Sequence, residues 1–238
     1  NAFIAFKAVK FSHLFKTLHK HNSSKFKSPE ATQLFNRFAT YNGSNPYKVP
    51  SMLSLIPHLE MNEGVFYPKG GMVSITDALV KLAKKMGVTF IFNTQVDRII
   101  HSSGLVKGVV VNNQNIYADL IVSNVDVYFT YKKLLNNTQL ANRVLKNERS
   151  SSAIVFYWGI KKEFKELQLH NILFSDDYKK EFDHLFSEQF PTDDPTIYIN
   201  ITSKYCKEDA PQGCENWFVM VNAPVNIGQH WDEIVSAT

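Results

Sequence analysis

The sequence predicts an α+β fold, in which a helical and mixed-sheet lobe carries an inserted helix followed by a β-meander. Three observations predict it. Apolar residues recur at helical spacing in the N-terminal part, short apolar runs separated by turn residues follow Gly71, and longer aromatic-rich runs return near the C-terminus. The predicted segments are 1–67, 68–126, a helical connection at 127–150, and 151–238. We expect 1–67 and 151–238 to form one lobe.

The composition fits a globular chain. Of 238 residues, 44% are hydrophobic, which is enough for a sizeable core. No apolar run approaches the roughly 18 residues that a membrane-spanning helix needs. Cys206 and Cys214 have neither CxxC spacing nor histidines at ligand distance, so we expect reduced intracellular thiols and no metal site.

The positive charge is concentrated at the N-terminus. The net charge is +4, and six lysines precede the first acidic residue, Glu30. One face of the predicted first helix is apolar and is formed by Ile4, Ala8, Phe11, Phe15 and Leu18. A basic amphipathic helix of this kind fits either a solvated lysine face or a peripheral contact with a membrane.

Two further helices are predicted before the inserted segment. Ser28 followed by Pro29 is a typical helix start, with serine at the cap and proline at the first helical position. Pro50 opens the next helix. We expect Pro57 to kink or end it near His58, because proline lacks the backbone N–H that a helix interior uses.

Gly70 and Gly71 stand at the centre of the sequence pattern. An aromatic strand is predicted to run through Pro68 into them. Their backbone can adopt positive φ and admit a ligand or another segment closely. Ser74 is predicted to cap the following helix, and Gly87 to end it. An ordinary strand–helix turn is the alternative interpretation.

The remaining strands follow the turn residues. In the inserted segment the predicted strands are 88–92, 95–101, 107–111 and 116–123. In the C-terminal segment they are 153–160, 171–174, 196–203 and 216–224, with a helix near 178–186. Another helix is predicted to begin after Asp126, whose carboxylate would favour a helix start.

Residues around the glycine pair carry a family resemblance. Together these residues resemble the E…G-x-x-(Y/F)-P-x-G-G-M stretch of the phytoene desaturase family. The matching residues are Glu60, Gly64, Tyr67, Pro68, Gly70, Gly71 and Met72. SNVD at 123–126 is similar to that family's S-N-A-D segment, with Val125 replacing a smaller residue. The resemblance extends in order over nearly the whole chain. These proteins are carotenoid-type flavoenzymes of the amine-oxidase superfamily.

The resemblance implies FAD as the cofactor. The implied cofactor-binding residues are Gly70, Gly71, Met72, Val96, Ser123 and Asn124, with the strand at Val96 beside the adenine. The catalytic residue stays unassigned; Glu60 and Asp126 border these segments, and a structural role is the alternative for each. The sequence has no G-x-G-x-x-G. We therefore expect the full-length enzyme to hold FAD and this chain alone not to retain it.

The resemblance also implies an apolar polyene substrate. Four aromatic residues are candidates to line its tunnel, with plain core packing as the alternative: Phe38, Tyr41, Tyr47 and Tyr67. The implied activity is oxidation of C–C bonds next to the polyene. A carotenoid isomerase or saturase, an amine or porphyrinogen oxidase, and a non-catalytic lipid-binding module are the alternatives. We expect a cytoplasmic protein peripheral at the membrane, without nucleic acid, that self-associates through an apolar face.

Overall fold

The computed structural model describes residues 15–237. Most of the predicted N-terminal amphipathic helix lies outside these residues, so its membrane contact stays a prediction. The described chain divides into two compact units: residues up to Val65 join those from Ser150 onward, and Phe66–Arg149 form the second unit. That these units are the substrate lobe and part of the flavin lobe also stays a prediction. In the described part, every helix is too short or too polar to span a membrane.

Helices and strands both contribute to the described chain. The helices are α1 (Leu18–Ser23), α2 (Pro29–Asn36), α3 (Leu55–Glu63), α4 (Val73–Lys85), α5 (Val127–Phe129), α6 (Thr138–Val144), α7 (Tyr178–Asp183) and α8 (Trp231–Ala237). The strands are β1 (Arg98–Ser102), β2 (Leu105–Val111), β3 (Gln114–Tyr117), β4 (Ser152–Ile160), β5 (His170–Leu173), β6 (Ile197–Asn200) and β7 (Glu215–Ala223). Short 3₁₀ turns cover Arg37–Asn42, Ser51–Ser54, Thr202–Lys204 and Lys207–Asp209. The predicted α+β class is confirmed.

The helices of the first unit confirm one expectation and correct another. Ser28 caps α2 as predicted, since its side chain accepts a hydrogen bond of 3.2 Å from the N–H of Ala31. Pro57 does not end its helix, because α3 continues through it to Glu63. The proline lies in the first turn of α3, where a helix depends least on the missing N–H.

The first unit contains a four-stranded sheet in the order β4-β7-β6-β5. All its strand pairs are antiparallel, with Ile154 opposite Val221 and Val221 opposite Ile197. The expectation of a mixed sheet is therefore wrong. Continuous apolar runs such as 153–160 are typical of parallel strands buried on both faces, but β4 is an edge strand here and Tyr157 on it is 81% exposed.

Alternation along β6 and β7 gives this sheet two different faces. The core face is formed by Ile199, Ile201 and Val219, with Phe156, Leu167, Ile197 and Trp217 packed against them. On the opposite face, which we call the site face, the register places Ile172, Tyr198 and Met220 in one row across three strands. One face therefore contributes the core of the unit and the other is available for a site.

A buried carboxylate fastens α7 to the site face. Glu181 is 1% exposed, and it accepts hydrogen bonds from the Thr196 hydroxyl at 2.6 Å and from the Asn222 amide at 3.0 Å. Burial raises the pKa of Glu181, and the hydrogen bonds from Thr196 and Asn222 offset only part of that effect. The helix position therefore depends on polar groups placed just before β6 and within β7.

The pKa of a second buried carboxylate, Glu215, is shifted in the opposite direction. Glu215 accepts from the Phe164 N–H at 2.9 Å and from the Trp217 indole at 2.8 Å, and it pairs with Lys204 at 2.5 Å. Burial is the largest single influence and raises its pKa, but the hydrogen bonds from Lys204, Trp217 and Phe164 together outweigh burial. The pKa of Glu215 therefore lies below its ordinary value.

The second unit contains α4 and the predicted meander, an antiparallel sheet in the order β1-β2-β3. Gly87 adopts a φ of +85° just beyond α4, as predicted for a helix end. Ser74 does not cap α4. The helix begins at Val73, and the Ser74 hydroxyl donates back to the Gly71 carbonyl at 2.8 Å.

Several predicted strands of the second unit are shorter or do not form. Residues 65–67 and 88–92 are extended without strand pairing, 95–101 becomes a strand only from Arg98, and 116–123 only as far as Tyr117. A strand requires a continuous hydrogen-bonded neighbour. In the described residues of this unit, the unpaired parts of these segments have only single bonds of this kind, from the Asp97 N–H to the Val110 carbonyl and from the Ala118 N–H to the Lys107 carbonyl. Phe92 is 68% and Val122 is 84% exposed. Self-association through such apolar residues stays a prediction.

The buried Glu181 predicts a pH-dependent change in stability. Its folded pKa lies above the unfolded value of 4.5, so the folded chain binds this proton more tightly and loses stability as the pH rises from that value through the folded pKa. Glu181→Gln removes this titration. The variant should therefore gain free energy of unfolding relative to wild type as the pH is raised above 4.5, measured by urea denaturation at several pH values.

Glu215→Gln is the matched control with the opposite sign. Because the folded pKa of Glu215 lies below 4.5, its stabilisation is present above that value and is lost as the pH falls through the folded pKa. This variant should lose stability relative to wild type as the pH rises toward 4.5. Slopes of the same sign for both variants would contradict the assignment.

Candidate functional site

A cavity of about 540 Å³ lies on the site face of the first unit. Its walls come from α2, the 3₁₀ turn that follows it, α3, and strands β5 to β7. The lining residues are Leu34, Arg37, Phe38, Thr40, Tyr41, Glu60, His170, Ile172, Tyr198 and Met220. Cavities of this size hold a drug-sized ligand or one end of a longer one.

The 3₁₀ turn Arg37–Asn42 aligns the aromatic wall of the cavity. Three residues per turn place positions i and i+3 on the same face. The rings of Phe38 and Tyr41 accordingly stack, with centroids 5.5 Å apart and an interplanar angle of 12°. Gly43 ends the turn at a φ of +64°, and a Cβ there would lie 2.8 Å from the Cβ of Ser150.

The floor of the cavity is the row formed by Ile172, Tyr198 and Met220. Directly opposed residues on neighbouring antiparallel strands have their side chains in contact range. Two apolar side chains therefore flank one tyrosine ring. A flat, apolar ligand would contact this floor on one side and the stacked rings of Phe38 and Tyr41 on another.

A polar group stands at one end of the floor. His170 Nδ1 lies 2.7 Å from the Tyr198 hydroxyl and 3.2 Å from the Asn200 amide nitrogen. The same amide nitrogen donates to the carbonyl of Leu169 at 3.1 Å. Since an amide nitrogen only donates, His170 Nδ1 is the unprotonated acceptor. Burial raises the pKa of Tyr198, with the nearby Arg37 charge acting in the opposite direction, so the phenol is protonated at neutral pH and donates to His170.

Two charged side chains also line the cavity. The Arg37 guanidinium lies over the Tyr198 ring, 5.1 Å from its centroid. The Tyr41 hydroxyl lies 3.4 Å from each carboxylate oxygen of Glu60, and burial, followed by the charge of Glu60, raises the pKa of Tyr41. The cavity therefore combines apolar walls with one cation, one carboxylate and two phenols.

The predicted tunnel residues are distributed over both units. Phe38 and Tyr41 line the cavity. Tyr47 belongs to the same unit but packs against His19, with ring centroids 4.6 Å apart, and its pKa is raised to about 12 by burial and then by nearby acids. Tyr67 lies in the second unit, close to Gly71. A tunnel that includes all four stays a prediction.

All six predicted cofactor-binding residues lie in the second unit. Gly70 and Gly71 adopt φ angles of +86° and +80°, in a turn closed by a 3.0 Å hydrogen bond from the Gly71 N–H to the Pro68 carbonyl. Met72 follows and is 61% exposed. Val96 lies in the extended segment before β1. The glycine turn therefore leads directly into the N-terminus of α4.

The 123–126 segment forms the other predicted cofactor-binding turn. The Ser123 and Thr130 hydroxyls are 2.9 Å apart, and Asn124 is exposed. Asp126 caps α5, since its carboxylate accepts from the Tyr128 N–H at 2.8 Å. A helix-start role for Asp126 is thus observed, while a role beside the flavin stays a prediction. Within residues 15–237 no cluster of His, Cys, Asp or Glu can hold a metal ion.

Sequence reasoning did not find three polar residues of the cavity: Arg37, His170 and Tyr198. Tyr198 and Asn200 are polar positions two residues apart in the otherwise apolar run 196–203, which is a visible signal for a polar site on one strand face. Arg37 has no comparable signal, because it reaches the site only through the pairing of segments far apart in the sequence.

Comparison with known proteins identifies the class and then the family. The fold matches the crystal structure of an oxidoreductase from Methanosarcina mazei with a TM-score of 0.64, covering 93% of this chain and 50% of that one. At 16% identity this likeness shows the fold alone. Residues 8–224 match the family described as flavin containing amine oxidoreductase. The chain belongs to this family, and the resemblance predicted from the motifs is confirmed.

Two curated relatives align with most of the chain. A 1-hydroxycarotenoid 3,4-desaturase from Flavobacterium sp. (strain P99-3) is 50% identical over 95% of this chain and 46% of its own length. A phytoene desaturase from Fusarium fujikuroi is 32% identical over 88% of this chain and 37% of its own length. The chain thus spans less than half the length of these relatives.

The glycine turn makes a testable prediction. A non-glycine residue at positive φ costs about 1 kcal/mol, so Gly71→Ala should lower the free energy of unfolding by about that amount in urea denaturation. Gly159→Ala is the control, because Gly159 lacks a positive φ and a Cβ there meets no atom within 4 Å. Equal effects for the two variants would contradict the turn conformation.

Proposed function

We propose that the polypeptide containing this chain is an FAD-dependent oxidoreductase that acts on C–C bonds of a carotenoid or similar polyene. The observation that carries the proposal is the cavity, in which the Phe38–Tyr41 stack faces an apolar floor around Tyr198. A flat conjugated chain complements such surfaces. Membership of the flavin family and the names of both relatives support it.

The second unit fits one wall of a flavin site. Gly70 and Gly71 keep side chains away from the backbone ahead of α4. We propose that these residues, with Met72, Val96, Ser123 and Asn124, border the cofactor. When bound, FAD supplies the oxidant for removal of hydrogen from the substrate.

The residues of the cavity position the substrate and exclude water. The aromatic wall and the row at Ile172, Tyr198 and Met220 hold a conjugated chain in a fixed plane. Burial of this apolar surface drives binding, at roughly 25 cal/mol per Å². Orientation and a dry environment are what the protein contributes to such a reaction.

The test is an assay of the gene-length polypeptide purified with FAD. Incubation with phytoene should bleach the flavin absorbance without added oxidant and extend the absorbance of the polyene to longer wavelength. Incubation with benzylamine should leave the flavin oxidised. Bleaching by the amine and not by the polyene would overturn the proposal and favour an amine oxidase.

A charge introduced into the cavity should lower the efficiency of polyene turnover. Leu34→Glu buries a carboxylate beneath the substrate, at a cost of at least about 1.5 kcal/mol, so kcat/KM should fall at least about tenfold. Leu59→Glu is the matched control, because Leu59 is 46% exposed, as Leu34 is 44% exposed, and does not line the cavity. Equal losses in both variants would show that the cavity is not the polyene site.

We also propose that this chain alone does not retain FAD. The glycine turn and the 123–126 turn offer side walls, but the sequence contains no G-x-G-x-x-G to cradle the diphosphate. Loss of that anchor should weaken binding by several kcal/mol, which leaves the site mostly empty at about micromolar FAD. The visible spectrum of the purified chain after desalting is the measurement. Stoichiometric flavin would contradict the expectation.

A further inference from the structure

The cavity of the first unit contains a charged group that the proposed reaction does not use. Arg37 lines this cavity and is half-buried. Within residues 15–237 no carboxylate lies at ion-pair distance from its guanidinium, and no protein oxygen accepts one of the guanidinium N–H groups. Its contact is with the face of the Tyr198 ring, 5.1 Å from the centroid, and a ring face supplies no oxygen or nitrogen acceptor.

The other polar side chains that line the cavity already have hydrogen-bond partners. These pairs are Thr40 with the Arg37 carbonyl at 2.8 Å, Tyr41 with Glu60 at 3.4 Å, and His170 with Tyr198 at 2.7 Å. Arg37 is therefore the half-buried lining residue whose donors have no protein acceptor in the described part of the chain. Leaving such donors unsatisfied beside hydrocarbon is costly.

The chemistry of a guanidinium indicates which ligand group would satisfy these donors. A guanidinium has five N–H donors in a planar fork, which matches the two oxygens of a carboxylate. The walls next to Arg37 are apolar and include Leu34, Phe38, Ile172 and Met220. An anionic group at the end of a hydrocarbon chain would therefore complement both parts of the cavity.

The charges in the cavity favour a carboxylate over a phosphate. Glu60 lines the same cavity, and its charge raises the pKa of Tyr41 while the charge of Arg37 lowers it, so both charges act on the Tyr41 hydroxyl. One guanidinium can neutralise one carboxylate. A phosphate monoester or a diphosphate carries more negative charge, and the excess would stay unpaired in the cavity that Glu60 lines.

We propose that the cavity also binds long-chain fatty acids, with the Arg37 guanidinium donating to the two carboxylate oxygens. The hydrocarbon chain of the acid lies against Phe38, Ile172 and Met220. This binding activity is additional to the proposed oxidation and needs neither flavin nor turnover. A bound acid fills the cavity, so it excludes any other ligand of the same site.

The test is equilibrium dialysis of the gene-length polypeptide with three radiolabelled probes below their micelle concentrations: dodecanoate, its methyl ester and dodecyl phosphate. Wild type should bind dodecanoate about tenfold more tightly than the ester, because only the acid forms charged hydrogen bonds with Arg37. Arg37→Met keeps the side-chain length without the charge. It should reverse this order, because a carboxylate without a partner binds an apolar cavity less well than an ester.

Two more variants test the electrostatic origin of the selectivity. Glu60→Gln removes the like charge from the cavity and should strengthen dodecanoate binding roughly threefold, with ester binding unchanged. It becomes the deciding variant if circular dichroism shows Arg37→Met to be unfolded. Arg143→Met removes an exposed arginine on α6, in the second unit, and should leave all three affinities unchanged.

Four results would overturn the inference: no binding of any probe, dodecanoate binding no tighter than the ester, dodecyl phosphate binding tighter than dodecanoate, or an unchanged order in a folded Arg37→Met. The turnover assay is independent of these measurements. Polyene oxidation without Arg37-dependent dodecanoate binding would leave the proposed reaction in place and overturn fatty-acid binding. Arg37-dependent binding without polyene oxidation would do the reverse.

Discussion

The two-residue alternation of the antiparallel sheet is the constraint on which the first unit depends. Because successive side chains of a strand point to opposite faces, Ile199 and Val219 enter the core while Tyr198 and Met220 reach the cavity. A shift of register by one residue would exchange the two sets. The site therefore has the same structural origin as the core, and a substitution that moves β6 would disturb both.

Buried polar contacts fix what covers each face of this sheet. Glu181 attaches α7 beside the cavity through Thr196 and Asn222, and Glu215 joins β7 to Lys204. Hydrophobic contact is non-directional, so it cannot by itself place a helix within hydrogen-bond accuracy. Buried carboxylates with hydrogen-bond partners can fix the position of a helix with that accuracy, because leaving any of these groups unpaired is costly.

Features of the fold that depend on neighbouring residues or on long apolar runs could be predicted from the sequence. The Ser28 cap, the end of α4 at Gly87 and the strands β4 to β7 depend on neighbouring residues or on long apolar runs. The failures share one cause. Residues 88–92 have strand composition, but a strand exists only with a partner, and sequence composition does not supply the partner. The same limit explains the mixed sheet that proved antiparallel.

The residues of the candidate site also separate into those that local sequence predicts and those that depend on contacts between distant segments. Phe38 and Tyr41 were predictable because their spacing of three residues belongs to one turn. Arg37 and His170 meet Tyr198 only because β5, β6 and the 3₁₀ turn pack together. The Arg37 guanidinium, the His170 imidazole and the Tyr198 hydroxyl differ in chemistry from the apolar walls, and a hydrocarbon ligand makes no hydrogen bond with them. Since apolar walls bind many polyenes about equally well, discrimination between polyenes has to come from the few polar groups that a wrong end group would leave unsatisfied.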